Sequence, residues 1–163
     1  MQELERKFLL QPSEYLIDWK KYMKRNNFAR KIEQYYILVE DNKELRIRKS
    51  TKRDDVWYEM TIKEGGSPDR QEITFQIDEA MYNYQKEKAV GYIEKLRIEF
   101  KILDDLIAEV DFFDSFIMAE IEFKNGYRYM ELDKDIFVEL NLAKSVEEVT
   151  CNHDYRNVNL ATH

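Results

Sequence analysis

Apolar and polar residues alternate along most of this chain, which is the pattern of β-strands with one apolar and one polar face. In the opening segment, Glu3, Glu5 and Lys7 share one face of a strand. Leu4 and Phe8 point to the other face. The same alternation predicts strands at 2–10, 28–39, 43–50, 56–64, 70–77, 92–101, 105–112 and 116–124. Eight strands in mainly hairpin connection are a number that closes into a barrel.

Two segments have helical spacing instead. The segment 15–25 follows the helix start signal Pro12-Ser13-Glu14 and places its apolar residues on one stripe. A second helix is predicted over 78–89. Turns are predicted at Asp41-Asn42, at 64–69 and at Asn125-Gly126. Because no repeat, low-complexity tract or linker interrupts the chain, we expect a single domain over 1–163, with no function assigned to 125–147.

Composition narrows the class of protein. The 163 residues are 44% hydrophobic, enough for a substantial core, and 36% charged, which is unusually high. A net charge of -7 argues against partners such as a nucleic-acid polymer or an anionic membrane. Early charges predict no signal peptide, and no stretch reaches the roughly 18 apolar residues of a spanning helix. With Cys151 as its one cysteine, the chain is expected to be soluble and cytoplasmic.

The charges of the polar face are grouped by sign within each strand. Like-charged pairs occur at Arg46/Arg48, Lys95/Arg97, Glu109/Asp111 and Glu120/Glu122. A sheet with one solvated face, serving as an interaction domain, would also show the alternation. A solvated surface intersperses its signs, however, because like-charged neighbours repel. Acidic and basic strands facing each other across a lumen would instead form a site for cations and a polyanion, and the grouping favours this interpretation.

Short motifs occur in order along nearly the whole chain. They include Glu3-Leu4-Glu5-Arg6-Lys7-Phe8, Gln34-Tyr35-Tyr36-Ile37, Glu44-Leu45-Arg46-Ile47-Arg48, Met60-Thr61-Ile62-Lys63, Arg70-Gln71-Glu72, Glu94-Lys95-Leu96-Arg97, Glu109-Val110-Asp111, Ala119-Glu120-Ile121-Glu122-Phe123 and Glu148-Val149-Thr150. This set resembles the CYTH, or triphosphate tunnel metalloenzyme, superfamily, and most of all its small bacterial inorganic tripolyphosphatases. The resemblance implies an α+β, mainly antiparallel fold, an eight-stranded closed tunnel-like barrel with a charged interior and flanking helices.

The resemblance also implies hydrolysis of a small triphosphate with a divalent metal, Mg²⁺ or Mn²⁺. Converging cations suit a polyphosphate, and the candidates to bind it are Lys7, Arg46, Arg48, Lys63, Arg70, Lys95 and Arg97. Carboxylate oxygens suit the metal, and the candidates are Glu3, Glu5, Glu72, Glu109, Asp111, Glu120 and Glu122. Glu3, Glu5 and either Glu120 or Glu122 are preferred. Glu72 could instead orient neighbouring cations.

In the tripolyphosphatases, a tyrosine of a Gln-Gly-Tyr-Leu motif is thought to pair with the lysine of the opening motif. The resemblance implies that Tyr36 and Lys7 form this catalytic dyad, although Tyr35 replaces the family glycine. Nucleoside or thiamine triphosphate hydrolysis, class IV-type adenylate cyclisation and polyphosphate or nucleotide binding without turnover are the alternatives. The segment 151–154 departs from the family pattern before Tyr155. Relatives and the apolar outer faces allow a homodimer.

Overall fold

In a computed structural model, the described residues are 2–65, 69–103, 105–124 and 129–161. The side chains of Gln2, Glu3, Asp69 and Val158 are not among them. The predicted turn at Asn125-Gly126 and part of the turn at 64–69 therefore lie outside the described residues, as does the side chain of the metal-ligand candidate Glu3.

The described chain is mainly β, as the alternation predicts. Its strands are β1 (Gln2–Pro12), β2 (Arg30–Glu40), β3 (Lys43–Lys52), β4 (Asp55–Glu64), β5 (Asp69–Ile77), β6 (Gly91–Leu103), β7 (Leu106–Phe112), β8 (Ile117–Phe123) and β9 (Ala143–Glu148). Its α-helices are α1 (Glu14–Arg25), α2 (Glu79–Lys86), α3 (Ile136–Glu139) and α4 (Asn157–Leu160), and a 3₁₀ turn covers His153–Tyr155.

All the strands belong to one antiparallel sheet of 9 strands, in the order β5-β4-β3-β2-β6-β7-β8-β1-β9. β1 also pairs with β5 at the far end of this order, where Gln2 lies opposite Gln71 and Glu3 opposite Arg70. The sheet is therefore curled, because one strand contacts both of its ends. The closed eight-stranded barrel that the sequence predicts is not confirmed, since β1 pairs with β9 rather than β5 from Phe8 onward.

The apolar face of the sheet carries the main hydrophobic core. Phe8, Phe123 and Phe137 are fully buried, and the ring centroids of Phe8 and Phe137 lie 5.2 Å apart. α1 packs on this face through Leu16, which is also fully buried. The helix begins after Ser13 because the Ser13 hydroxyl accepts a hydrogen bond from the Leu16 N–H at 3.1 Å. With its apolar side chains packed here, the sheet directs its charged side chains to the opposite face.

α1 and α2 lie where the sequence predicts helices, but their boundaries differ from the predicted 15–25 and 78–89. Asp78 caps α2, because its carboxylate accepts a hydrogen bond from the Met81 N–H at 2.8 Å, and the helix ends at Lys86 rather than at residue 89. β9 was not predicted, since most of its side chains are exposed on both faces and give no alternation. No helix among the described residues combines the length and apolarity needed to cross a bilayer.

Candidate active site on the polar face

Charged and polar side chains gather on the polar face and are buried there. Those exposed by 6% or less are Glu5, Lys7, Gln34, Glu44, Arg46, Ser50, Thr61, Lys63, Arg70, Lys95, Arg97 and Asp111. The strand register sets them side by side, with Lys63 opposite both Glu44 and Glu72. Solvated surface charges would stay exposed, so this burial argues against a sheet with one wet face.

Short ion pairs on the polar face join β6 to β7. Asp111 Oδ1 accepts from Arg97 Nε at 2.7 Å, and Asp111 Oδ2 accepts from Arg97 Nη2 at 2.9 Å and Lys95 Nζ at 2.7 Å. Burial would raise the pKa of the Asp111 carboxyl, but Arg97 and Lys95 outweigh it and hold the pKa below its usual range. Burial lowers the pKa of the Lys95 ammonium to about 7 despite Asp111. Because protein cations engage both Asp111 oxygens, the geometry favours Asp111 as the support of these cations over a role as metal ligand.

Glu44 organises a second group of cations on β3, β4 and β5. Its Oε1 accepts hydrogen bonds from Arg70 Nη2 at 2.9 Å and from Arg156 Nη2 at 3.0 Å. Burial would raise the pKa of the Glu44 carboxyl, but Arg46, Arg70 and Lys63 together lower it below its usual range. Three predicted substrate-binding cations therefore surround one carboxylate that stays ionised.

Carboxylates meet across β1, β7 and β8. Glu5 lies opposite Glu122 in the strand register, and Glu120 lies opposite Glu109. Burial, followed by the neighbouring carboxylates of Glu72, Glu109 and Glu120, raises the pKa of Glu122. A cavity of about 370 Å³ is lined in part by Glu109 and Glu122. Neighbouring like charges favour a bound cation, and carboxylate oxygens are the donors that Mg²⁺ prefers.

The carboxylates thus fit a divalent metal in donor chemistry and charge. Within the part of the chain whose side chains are described, no three carboxylate, imidazole or thiol groups converge closely enough to enclose one. Besides Asp111, three of the candidates contact cations of the protein. Glu5 Oε1 lies 3.3 Å from Lys7 Nζ, and Glu109 Oε2 accepts a hydrogen bond from Arg97 Nη1 at 2.7 Å. The Glu72 carboxylate lies 3.7 Å from Lys63 Nζ, in keeping with its alternative role of orienting a cation.

Tyr36 and Lys7 are both buried on the polar face, but their described contacts go to different groups. Tyr36 Oη accepts from Gln34 Nε2 at 2.6 Å, and Gln34 Oε1 accepts from Arg48 Nε at 2.8 Å. Lys7 Nζ pairs with Glu5, and no hydrogen bond between these two described side chains, Lys7 and Tyr36, is present. Burial raises the pKa of Tyr36 to about 12, so the phenol keeps its proton and can donate it to a further acceptor.

Tyr35, which stands in place of the family glycine, lies on the opposite side of the sheet. Its ring centroid is 4.7 Å from that of Tyr92 and 6.2 Å from that of Tyr82 in α2. Lys86 Nζ lies 5.3 Å from the centre of the Tyr35 ring. The bulk of Tyr35 is therefore accommodated under α2 and does not enter the polar face.

Sequence reasoning missed Glu44 and Arg156 as members of this site. Glu44 stands two residues before Arg46 in a strand, so the alternation that selected Arg46 and Arg48 would also have selected Glu44. Arg156 follows the 3₁₀ turn in a segment without periodicity. No spacing rule connects it to β3, and only the folded chain shows that contact.

Comparisons with known proteins agree with the architecture. No curated protein matches the chain. PH1819 from Pyrococcus horikoshii OT3 has a TM-score of 0.64 and 20% identity, covering 97% of this chain and 97% of that chain. PH1012 from the same organism has a TM-score of 0.61 and 22% identity, covering 89% and 94%. HpAC1 from Hippeastrum, described as a candidate adenylyl cyclase with a dominant triphosphatase activity, has a TM-score of 0.64 and 13% identity, covering 97% and 95%.

These structures share the fold of this chain at low sequence identity. A family model described as the CYTH domain matches residues 1–152, which is most of the sequence. The chain therefore belongs to the CYTH domain family.

Proposed function

We propose that this protein hydrolyses a triphosphate, with inorganic tripolyphosphate as the first candidate substrate, inside a closed tunnel lined by the polar face. Membership of the CYTH family supports the assignment of an enzyme that acts on triphosphates. The triphosphatase activity ascribed to HpAC1 supports the same assignment. The observation that carries the proposal is one polar face with two kinds of group, namely buried cations and carboxylates that reach solvent at Glu122. Cations surround Glu44 on β3 to β5, and carboxylates crowd Glu122 on β1, β7 and β8.

Binding of the phosphate chain would fall to the basic strands. Arg46, Lys63 and Arg70 are buried and lie close to Glu44, so they are held in place before a substrate arrives. Arginine offers forked N–H groups that match phosphate oxygens, and water exclusion strengthens such charge-assisted hydrogen bonds. Arg97 is oriented by Asp111 in the same way.

Glu5, Glu120 and Glu122, with Glu3, are the residues that would hold Mg²⁺ or Mn²⁺. A bound divalent cation would neutralise phosphate charge and favour ionisation of an attacking water. Lys63 and Glu72 lie near enough to influence the pKa of Glu122, so the basic and acidic strands act on the same volume. Phosphoryl transfer needs mainly such positioning and charge stabilisation.

Lys7 and Tyr36 are the proposed catalytic residues. Lys7 is held by Glu5 beside the metal carboxylates and would place its ammonium on a phosphate oxygen. Tyr36, protonated and supported by Gln34, would donate its hydroxyl proton in a hydrogen bond to substrate or to the attacking water. A direct Lys7–Tyr36 dyad would require movement of one of the two side chains when substrate binds.

Phosphate release from purified protein tests the proposal. Tripolyphosphate, ATP, thiamine triphosphate and pyrophosphate are each incubated with Mg²⁺, with Mn²⁺ and with chelator, and phosphate and cyclic nucleotide are measured. We expect metal-dependent phosphate release, fastest with tripolyphosphate, that is lost in Glu5→Gln and Lys7→Ala. Glu94→Gln is the control, because Glu94 lies on the outer face of β6 and its side chain is 48% exposed.

Other outcomes would replace the proposal. Faster hydrolysis of ATP or thiamine triphosphate would change the substrate, and cyclic nucleotide release would identify a cyclase. Tripolyphosphate binding without turnover in either metal would identify a binding module. The absence of both binding and release for every polyanion would contradict the tunnel itself.

A further inference from the structure

Arg156 brings a cation from the C-terminal segment to the polar face. Its Nη2 donates to Glu44 Oε1 at 3.0 Å, and Arg70 Nη2 donates to the same oxygen at 2.9 Å. Both arginine side chains are largely buried, with 21% exposure for Arg156 and 5% for Arg70. One carboxylate oxygen thus fixes two guanidinium groups side by side.

Neither guanidinium group is fully satisfied by this shared contact. Among the described residues, the Nε atoms of Arg70 and Arg156 are buried without a hydrogen-bond acceptor. A buried charged donor that lacks an acceptor is costly and is therefore rare in a protein interior. Two such donors on neighbouring arginines indicate an anion with several oxygens that the protein itself does not supply.

The C-terminal segment is held against the polar face by further contacts. Ala161 is buried in a cluster with Tyr36 and Ile93. Asn157 Oδ1 accepts a hydrogen bond from Lys95 Nζ at 3.3 Å. These contacts hold the residues that directly follow Arg156, so they support its position next to Glu44.

We propose that Arg156 is a substrate-binding residue that, together with Arg70, donates its Nε–H to a terminal phosphate group, while Glu44 keeps the two guanidinium groups aligned. The assignment depends on the triphosphatase function proposed above, and it places one end of the phosphate chain under the C-terminal segment. A purely structural Arg156 would do no more than tie that segment to Glu44.

Binding and kinetics of Arg156→Gln distinguish these two roles. Tripolyphosphate binding is measured by calorimetry in chelator, and KM and kcat are measured with Mg²⁺. We expect Arg156→Gln to weaken binding and raise KM by about tenfold or more, because a charge-assisted hydrogen bond to the ligand is lost. Arg156→Lys should recover only part of the affinity, since it restores the charge without the forked N–H groups.

Arg25→Gln is the matched control, because Arg25 is exposed in the last turn of α1 and the same charge is removed away from the polar face. The affinity of Arg25→Gln for tripolyphosphate should stay within about twofold of the wild-type value, because removing an exposed charge typically has a small effect. A lower melting temperature of Arg156→Gln with unchanged tripolyphosphate affinity would overturn the substrate contact and leave the structural tie. A wild-type protein that neither binds nor hydrolyses tripolyphosphate would instead overturn the proposed function, and the contact with it.

Discussion

Asp111→Asn is the substitution that tests the buried charge network most directly. The wild-type carboxylate is fully buried and accepts three hydrogen bonds, two from Arg97 and one from Lys95. Asparagine keeps the shape but removes the charge, and its amide nitrogen turns a donor toward groups that are themselves donors. Two buried cations then lose their shared counter-ion.

Breaking a buried ion pair by removing one partner costs about 3–5 kcal/mol. For a chain of this length, that loss corresponds to a melting temperature lower by about 6–20 °C. Urea unfolding at pH 7, followed by circular dichroism, gives the free energy of unfolding. Glu94→Gln is the control, because the Lys31–Glu94 pair is about half exposed and such a pair contributes at most about 1 kcal/mol.

The pH dependence of the free energy of unfolding provides a second test of the Asp111 network. Because the folded-state pKa of Asp111 is lowered, its stabilising contribution is complete above the unfolded-state pKa of about 4 and is lost as the pH falls through the folded-state value. The difference between wild type and Asp111→Asn should therefore narrow below about pH 4. A variant within about 1 kcal/mol of wild type at pH 7 would refute the reasoning, since it would show that water already screens Arg97 and Lys95.

Two further predictions concern the carboxylates and the tyrosine. Because the Glu122 pKa is raised, protons should compete with Mg²⁺ at a higher pH than at an ordinary glutamate, so Mg²⁺ affinity measured by calorimetry should fall as the pH drops from 7 to 5. Glu122→Gln should weaken Mg²⁺ binding and flatten this dependence, and an unchanged profile would place the metal elsewhere. Since the pKa of Tyr36 is about 12, Tyr36→Phe should lower kcat without changing the shape of the pH–rate profile below pH 10. A basic limb that disappears in this variant would contradict a protonated Tyr36.

The sequence predicted the strands and the polar face because both depend on local alternation. Arg46 and Arg48 share a face with Glu44 in any β-strand, whatever the rest of the chain does. The two longer helices were found for a similar reason, since Ser13 and Asp78 cap them through hydrogen bonds to residues three positions later. Such signals lie within a few residues of one another and need no tertiary information.

Contacts between segments that are distant in the chain could not be predicted from the sequence. β9 carries exposed side chains on both faces, so only its pairing with β1 makes it a strand. The Arg156–Glu44 contact joins positions 112 residues apart, and no periodicity predicts it. The sequence also predicted Glu109 and Asp111 alike as metal ligands, since both are carboxylates on one strand face. In the structure, Asp111 is fully buried between Arg97 and Lys95, whereas Glu109 lines a cavity.

The position of β1 in the sheet has a consequence for how the chain folds. β1, which precedes the other described strands along the chain, pairs with β8 and β9, where Leu4 lies opposite Phe123 and Phe8 opposite Glu148. Contacts between residues this far apart in sequence form late, because the entropy cost of closing a long loop comes before the contacts can stabilise the chain. Until β8 and β9 have been synthesised, the backbone N–H and C=O groups of β1 lack these partners. Unpaired strand edges of this kind are prone to aggregation. Glu5 and Lys7 lie on that strand, so the proposed metal-binding and catalytic groups come together in one of the last steps of folding.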